Sequence, residues 1–412
     1  MDMMGEGASA IPGSEVTAVT FRLTEEQREI RAMAREFALG EIRPHAADWD
    51  ARRSLDPEVF SKLGELGFLG MRVPEAFGGL GLDLDTYLLV LEELAWGDAS
   101  VALAVAIHSG PVGHLLLRYG TEEQKTRYLP RLASGEILGA FALSEAGAGS
   151  DARSLATLAR RDGEDWVLRG SKKWVTNGGQ AGIVVVFARW EEGEGMNAFL
   201  LETDAPGWEV GKREVTMGLA ASETVEVALA DVRLGADALL GEEGEGFGYA
   251  LEALDVGRAG IAALALGIAR AAFEHARDYS RERVQFGRPL AAFQATRFKL
   301  ADMAVRITSA RSLIRMAAHA LEPQGNGGPG RGEPDPESPS ARSLAAMAKL
   351  TASEAALWIA DEAVQIFGGY GYMRDYPVEK LLRDAKGMEI SEGTSEIMRL
   401  VVAREVVQED GS

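Results

Sequence analysis

The stretch IVVVFA, residues 183–188, lies in a strand-like middle part that separates two helical parts of the sequence. It is a short, continuous apolar run rich in β-branched residues, which is typical of a buried strand. A second stretch, TVEVAL at 224–229, alternates valine or leucine with polar or small residues, as a half-buried strand does. Turn sequences such as DAPGW, NGGQAG and EEGEG surround these stretches. The sequence therefore predicts a β domain in the middle of the chain.

Helical patterns flank this predicted β domain on both sides. Thr24 and Thr121 each precede a glutamine by three residues, the spacing of a capping box. Three long amphipathic stretches rich in alanine and leucine follow the β domain. We expect an α+β multidomain fold with a flexible N-terminus at 1–20, an N-terminal helical domain at 21–140, a β-barrel or sandwich at 141–245, and a C-terminal four-helix bundle at 246–412. Within that bundle, segment 322–340 is rich in proline, glycine and glutamate, which predicts a mobile loop.

Composition argues against several classes of function. The chain carries 43 Lys+Arg against 63 Asp+Glu, a formal charge of −20, which disfavours nucleic acid and anionic membranes as partners. It has no cysteine and five scattered histidines, so the sequence predicts no disulfide, thiolate nucleophile or metal site. No uninterrupted apolar run approaches the ~20 residues of a membrane span. Residues 1–20 lack the Arg and Lys of a targeting signal, and we expect a cytoplasmic protein.

Two segments are candidates for binding a flat cofactor. FALSEAGAGSD, 141–151, lies where helix gives way to strand, and its small residues would let backbone N–H groups reach a pyrophosphate or a ring. An ordinary glycine-rich connection is the alternative. In KKWVTNGG, Trp174 and Thr176 would share one face of a strand, which suits a flavin, although the Trp could instead cover the core from an edge strand. Neither the dinucleotide-binding fingerprint nor a P-loop is found.

Glu392 lies in MEISEGTSEIMRL, residues 388–400, next to small hydroxyl residues and a glycine. The sequence Gly393-Thr394-Ser395 indicates a helix start, where unpaired N–H groups could simply stabilise a nearby carboxylate. The alternative is that Glu392 faces a ligand pocket, with Gly393 leaving room for close approach. This stretch alone leaves both interpretations open.

Two longer motifs resemble signatures of the acyl-CoA dehydrogenase family. ALSEAGAGSD, 142–151, is similar to the first signature, and QIFGGYGYMRDYPVEKLLRD, 365–384, is similar to the second. They stand in the right order around the predicted β domain, and the resemblance extends from about Leu23 to Val406. It implies an acyl-CoA dehydrogenase fold with FAD bound without a Rossmann domain, in a cleft between the β domain and the C-terminal helices.

The resemblance also assigns binding roles to individual residues. FAD would contact Phe141, Leu143, Ser144, Gly149, Ser150, Trp174, Thr176, Arg283, Phe286, Gln294, Gln365, Gly368, Gly369, Thr394 and Glu396, the last standing where many relatives have glutamine. The acyl-CoA substrate would contact Ser150, Asp255, Arg258, Gly393 and Arg404. Asp255 and Arg258 could instead form a solvated pair on a helix face.

By the same resemblance, Glu392 is the catalytic base that removes the α-proton of a thioester. Such a base needs a pKa raised by an apolar, water-poor site. The thioester oxygen would be held by the Glu392 backbone N–H and a flavin ribityl hydroxyl. Some relatives place the base on the first long C-terminal helix, at a position that Gly257 fills here.

The function implied is α,β-dehydrogenation of a saturated acyl-CoA to the trans-2-enoyl-CoA, with electrons passed to electron-transfer flavoprotein. The stretches LDVGRAGIAALALGIA and FKLADMA look most like the short-chain, butyryl-type branch. Segment 97–104 lacks the arginine that glutaryl-type relatives use for a second carboxylate, which argues against a dicarboxylic substrate. The alternatives are a same-fold flavin oxidase or biosynthetic desaturase acting on a carrier-bound acyl group, and a DNA-associated member. The resemblance further implies a homotetramer, built as a dimer of dimers.

Overall fold

The computed structural model describes residues 22–322 and 339–407. The predicted flexible N-terminus and most of the predicted loop at 322–340 lie outside these residues. The N-terminal part contains the helices α1 (Glu25–Phe37), α2 (Ala46–Arg52), α3 (Glu58–Glu65), α4 (Leu84–Gly97), α5 (Ala99–Ile107), α6 (Gly113–Tyr119) and α7 (Glu122–Ser134). Both predicted capping boxes are confirmed, at the starts of α1 and α7. A π-helical turn, His108–Val112, joins α5 to α6.

The middle part is one connected sheet. Its strands are β1 (Leu138–Ala142), β2 (Leu158–Asp162), β3 (Asp165–Thr176), β4 (Ala181–Trp190), β5 (Met196–Glu202), β6 (Trp208–Arg213), β7 (Thr224–Leu234) and β8 (Leu239–Leu240). They follow the order β6-β7-β3-β2-β4-β5-β8, with β1 parallel to β4. Residues from β1 to β7 share one apolar core, so the sheet curves around it as a barrel or sandwich does.

Strand β4 contains the IVVVFA run, and every residue of that run is buried. Ile183, Val185 and Phe187 pack toward the N-terminal helices, whereas the residues between them face the core inside the sheet. The continuous apolar pattern therefore arises because both faces of the strand are covered. The TVEVAL stretch in β7 alternates buried and half-buried residues as predicted.

The C-terminal part is built around α8 (Gly246–Glu282). The small hairpin of β9 (Val284–Gln285) and β10 (Arg288–Pro289) follows it, and then α9 (Gln294–Leu321), α10 (Ala341–Phe367), α11 (Val378–Met388) and α12 (Ser395–Val406). Helix α8 packs against α9, α10 and α11, and α12 lies on α10. Helices α8 to α11 thus form the predicted bundle, and the opposite side of α8 packs on α4 and α5.

Two helical stretches are apolar and long enough to cross a bilayer by composition alone, Ala99–Tyr119 and Gly246–Glu282. Neither is an uninterrupted apolar run, because polar residues such as His108 and Arg258 interrupt them. In the fold, 89% and 94% of their most apolar windows are buried inside the protein. These two stretches are apolar because they form the core between the N-terminal helices and the bundle. The cytoplasmic location stays a prediction.

A buried charge cluster joins the three parts. Lys380 on α11 contacts Asp98, at the junction of α4 and α5, at 2.9 Å and Asp384 at 2.6 Å. Asp384 also accepts a hydrogen bond from the backbone N–H of Leu219 in the β domain, at 2.6 Å. Removing one partner of such a buried cluster costs about 3–5 kcal/mol, because the remaining charge loses its compensation. Lys380 and Asp384, which belong to the second signature motif, therefore hold the parts together.

Candidate active site

Glu392 occupies a strained turn between α11 and α12. Its φ is 56° and that of Gly393 is 103°, so two successive residues adopt the left-handed region. For a non-glycine residue this conformation costs about 1–3 kcal/mol and is common at functional sites. The predicted helix start is confirmed, because the Thr394 hydroxyl accepts the N–H of Ile397 as the N-cap of α12. Glu392, however, precedes this cap by two residues and lies outside the first turn of the helix.

The carboxylate of Glu392 has a buried oxygen without a polar partner. Within the described residues, its Oε2 accepts no hydrogen bond. Gly257 of α8 lies opposite, and a Cβ added there would come within 2.8 Å of Oε2. Burial raises the pKa of Glu392 to about 7, against the lowering effect of the positive charges of Arg258 and Lys349. A buried, unpaired carboxylate with a pKa near neutrality has the properties of a general base.

Two cations hold the backbone of this turn. Lys349 on α10 is fully buried and donates a hydrogen bond from Nζ to the carbonyl oxygen of Gly393, at 2.7 Å. Arg258 makes a longer contact of 3.4 Å from Nε to the carbonyl oxygen of Glu392. Because both cations bond to backbone oxygens, the carboxylate stays unpaired. Sequence analysis missed Lys349, although a lysine among the alanines of a core-facing helix was an available signal.

Asp255 and Arg258 form a buried pair rather than a solvated one. Nη1 of Arg258 lies 2.5 Å from Oδ1 of Asp255, and both side chains are buried. Arg342 Nε adds a second contact to Asp255, at 2.9 Å. The alternative of a solvated pair on a helix face is therefore wrong. Contact of Asp255, Arg258 and the exposed Arg404 with coenzyme A stays a prediction.

The turn after β1 is anchored by a buried ion pair that sequence analysis also missed. Lys172 Nζ lies 2.8 Å from Glu145 Oε1 and donates to the carbonyl oxygen of Leu143, at 3.1 Å. Leu143 is buried, and Lys172 already occupies its carbonyl oxygen, so contact of this residue with FAD stays a prediction. Gly149 and Ser150 at the tip of the turn are exposed, and a Cβ added to Gly149 would meet open space. The turn is therefore fixed at its base and open at its tip.

Trp174 stands at a β-bulge. Its φ is 57°, and the register between β3 and β7 shifts between Lys172 and Val175. The regular alternation from which a shared face of Trp174 and Thr176 was predicted is interrupted there. Trp174 is nevertheless 53% exposed and Thr176 half-buried, while Val175 between them is buried. An exposed indole beside a hydroxyl, close to an open glycine turn, fits the flat ring of a flavin.

Several other predicted FAD residues lie around the end of α8 and the end of α10. Arg283 ends α8, Phe286 is the 93% exposed tip of the β9–β10 hairpin, and Gln294 begins α9. The end of α10 contributes the exposed Gln365, Gly368 and Gly369. Arg283, Gly368 and Gly369 line a cavity of about 620 Å³. Of the other predicted FAD residues, Phe141 and Ser144 are half-buried beside the first turn, and Glu396 is exposed on α12.

Arg283 and Glu392 lie toward opposite ends of α8. Gly257, which faces Glu392, precedes Arg283 by 26 positions along one helix. At the helical rise of about 1.5 Å per residue, this separation is about 39 Å. One FAD molecule does not extend that far. A single chain therefore brings together only part of the predicted FAD site.

Three family profiles match consecutive parts of the chain. They are described as the N-terminal, middle and C-terminal domains of acyl-CoA dehydrogenase and match residues 24–136, 140–232 and 244–407. The chain belongs to the acyl-CoA dehydrogenase family. It is 46% identical to an acyl-CoA dehydrogenase of Bacillus subtilis (strain 168), in an alignment covering 93% of this chain and 98% of the relative. The resemblance stated from the two motifs is confirmed.

Solved structures of the family agree with this assignment. Butyryl-CoA dehydrogenase from Megasphaera elsdenii superposes with a TM-score of 0.88 at 40% identity, covering 94% of this chain and 100% of that one. A chain from a structure described as the electron transferring flavoprotein of Acidaminococcus fermentans gives 0.88 at 41% identity, with the same coverage. An acyl-CoA dehydrogenase from Bacillus anthracis, complexed with FAD, gives 0.86 at 33% identity, covering 93% and 67%. As an acyl-CoA dehydrogenase, this protein is an FAD-dependent oxidoreductase.

Proposed function

We propose that the protein dehydrogenates a short, saturated acyl-CoA between its α and β carbons and that Glu392 is the base. The buried, unpaired carboxylate oxygen Oε2 of Glu392, opposite Gly257, carries this proposal. Gly257 leaves space beside the carboxylate where a side chain would collide with it, so an α-carbon can approach. A purely structural glutamate would instead be expected to have a hydrogen-bond partner, since buried polar groups are normally paired.

The residues around Glu392 suit removal of an α-proton from a thioester. A carboxylate with a pKa near 7 is a stronger base than an ordinary glutamate, and it becomes neutral once it holds the proton. The backbone N–H of Glu392 donates to no described residue, which leaves it available for the thioester oxygen of the developing enolate. Bound FAD supplies the acceptor for the β-hydride. Arg258 and Lys349 keep the turn, and with it the carboxylate, in a fixed position.

We further propose electron-transfer flavoprotein as the acceptor, which the similarity to a chain of an electron-transferring flavoprotein structure supports. Anaerobic addition of acyl-CoAs of four to sixteen carbons should bleach the flavin fastest with short chains. Reoxidation of the bleached enzyme should be faster with electron-transfer flavoprotein than with air. Faster reoxidation by air would favour the same-fold oxidase, and bleaching by none of the thioesters would refute the proposed reaction.

Exchanging the two facing positions should partly restore an inactive enzyme. Glu392→Gly removes the base, and we expect it to relieve backbone strain, because glycine adopts a φ of 56° without cost. Adding Gly257→Glu places a carboxylate at the same spot from α8, so we expect the double variant to recover measurable flavin bleaching. Gly257→Glu alone is the control and should be inactive, because two carboxylates would compete for one site. A double variant no faster than Glu392→Gly would contradict a shared site.

At subsaturating acyl-CoA, the rate of flavin reduction should rise with pH to a plateau, with an apparent pKa of about 7 for the free enzyme, because Glu392 must be deprotonated to act. In Lys349→Met we expect this midpoint to move to higher pH, since a positive charge that lowers the pKa of Glu392 is lost. Stopped-flow bleaching across pH 5 to 9 measures both midpoints. Lys349→Arg should restore the native midpoint at least in part. An unchanged midpoint in Lys349→Met would show that the lysine supports only the turn.

A further inference from the structure

Arg72 carries a buried guanidinium nitrogen without a partner. It lies in the loop between α3 and α4, and its neighbours Met71 and Val73 are both buried. The Nη1 atom is buried and makes no hydrogen bond to any described residue. Arg72 as a whole is half-buried, but a buried donor atom without an acceptor is unfavourable until an acceptor meets it. The guanidinium therefore has capacity to bind an anion.

The loop that carries Arg72 is fixed to the helices beside it. The carbonyl oxygen of Leu69 accepts a hydrogen bond from Ser109 Oγ at 2.9 Å, and that of Met71 accepts from the N–H of Leu82 at 2.7 Å. Ser109 belongs to the π-helical turn between α5 and α6. These bonds hold the loop against that turn, so Arg72 is positioned by the fold.

A row of small residues connects this region with the proposed base. Gly257 faces the base, and one turn further along α8 a Cβ added at Gly260 would lie 3.9 Å from the Cβ of Ala106 on α5. The carbonyl oxygen of Ala106 accepts a hydrogen bond from the Tyr87 hydroxyl at 3.3 Å. The same hydroxyl lies 3.2 Å from a Cβ added at Gly110. Tyr87 thus contacts this row at Ala106 and Gly110.

Tyr87 also lies within the electrostatic reach of both charged groups. Burial chiefly raises the pKa of the phenol, Arg72 lowers it, and Glu392 raises it further. The charges that lower the pKa of Glu392, by contrast, belong to Arg258 and Lys349. Among these side chains, Tyr87 is thus the one near both Arg72 and Glu392. An acyl chain with its α-carbon at Glu392 would approach Tyr87 and Arg72 by following the small residues at Gly260 and Gly110.

We propose that Arg72 binds a carboxylate at the far end of the acyl chain, which makes the substrate the coenzyme A monothioester of a dicarboxylic acid. This inference deepens the proposed dehydrogenation and rests on it. A guanidinium matches a carboxylate with two parallel N–H···O bonds, and in a buried site the pair removes the unpaired charge. The lack of arginine in segment 97–104 predicted no second carboxylate. Arg72 supplies the cation from a different loop.

Matched pairs of thioesters test this specificity. Pentanoyl- and glutaryl-CoA, hexanoyl- and adipyl-CoA, and heptanoyl- and pimeloyl-CoA differ within each pair only in a terminal methyl or carboxylate. Anaerobic stopped-flow bleaching of the holoenzyme should favour the carboxylate in at least one pair by about tenfold. Arg72→Met should abolish or reverse this preference. Arg72→Lys should keep part of it, because lysine keeps the positive charge but cannot donate two parallel hydrogen bonds. Arg169→Met, which changes an exposed arginine on β3, should leave the preference unchanged.

A binding measurement separates this inference from the proposed reaction. Calorimetric titration of the Glu392→Gln protein compares hexanoyl- and adipyl-CoA affinity without turnover, with and without Arg72→Met. A carboxylate preference that depends on Arg72 supports the inference even if no thioester bleaches the flavin. Equal affinities in both backgrounds, or bleaching by methyl-ended chains alone, would overturn it and leave the dehydrogenation intact. The unpaired nitrogen of Arg72 would then donate its hydrogen bond to water.

Discussion

Glu392→Gln is expected to fold, to retain FAD, and to lose flavin bleaching by every acyl-CoA, with a fall in rate of about 10⁴-fold. Glutamine has almost the same shape as glutamate, so the strained turn and its contacts with Lys349 and Arg258 can persist. The amide, however, accepts no proton from the α-carbon. Since the carboxylate oxygen Oε2 has no partner among the described residues, the substitution breaks no hydrogen bond at that atom.

Glu389→Gln is the matched control for this variant. Glu389 lies three positions before Glu392, and its carboxylate pairs with Lys386 at 2.6 Å, so the same chemical change leaves the proposed base untouched. We expect near-native bleaching from it. Visible absorbance of the bound flavin, melting temperature and stopped-flow bleaching distinguish lost chemistry from lost folding. Bleaching by Glu392→Gln at close to the native rate would reject Glu392 as the base.

The architecture could be predicted from local sequence patterns because they act over a few residues. The apolar IVVVFA run, the alternation in TVEVAL and the capping boxes each determine their own element, and all appear in the fold. The bulge at Trp174 could not be predicted in this way. It depends on how β3 registers with β7, which lies about fifty residues further along the chain.

The candidate active site likewise has a part that the sequence predicts and a part that only tertiary packing determines. Motif resemblance identified Glu392, but its opposition to Gly257 arises only when α8 packs beside the turn before α12. Lys349 and Arg72 carry charges at positions that sequence reasoning treats as exposed by default, since such residues are seldom buried. Only tertiary packing shows that one donates to the Gly393 carbonyl and that the other has an unpaired nitrogen. The burial of charged residues is therefore the feature of this site that was hardest to predict from the sequence.

The surface around Arg283 carries exposed apolar side chains. Phe286 at the hairpin tip is 93% exposed and Tyr372, just beyond α10, is 82% exposed, with Val284 and Phe298 also exposed. Several large apolar side chains exposed in one region of a monomer indicate an interface. Arg283 lies about 39 Å along α8 from Gly257, and it lines one cavity together with Gly368 and Gly369, which follow α10. We propose that they contact the FAD of a neighbouring subunit in a dimer of dimers.

Arg283→Glu is therefore expected to lose FAD and to shift the protein toward smaller species. The new carboxylate would face the pyrophosphate, and repulsion between like charges replaces an attraction. Because a ligand bound only by the assembled form stabilises it by mass action, loss of FAD also weakens assembly. Arg281→Glu makes the same charge change two residues earlier, on an exposed side chain that lies 3.8 Å from Asp278, and should keep both flavin and assembly. Sedimentation velocity with detection at 280 nm and at the flavin band reads both properties at once. Sedimentation of either the native protein or Arg283→Glu as a flavin-replete monomer would refute the shared site, since one chain would then hold the cofactor alone.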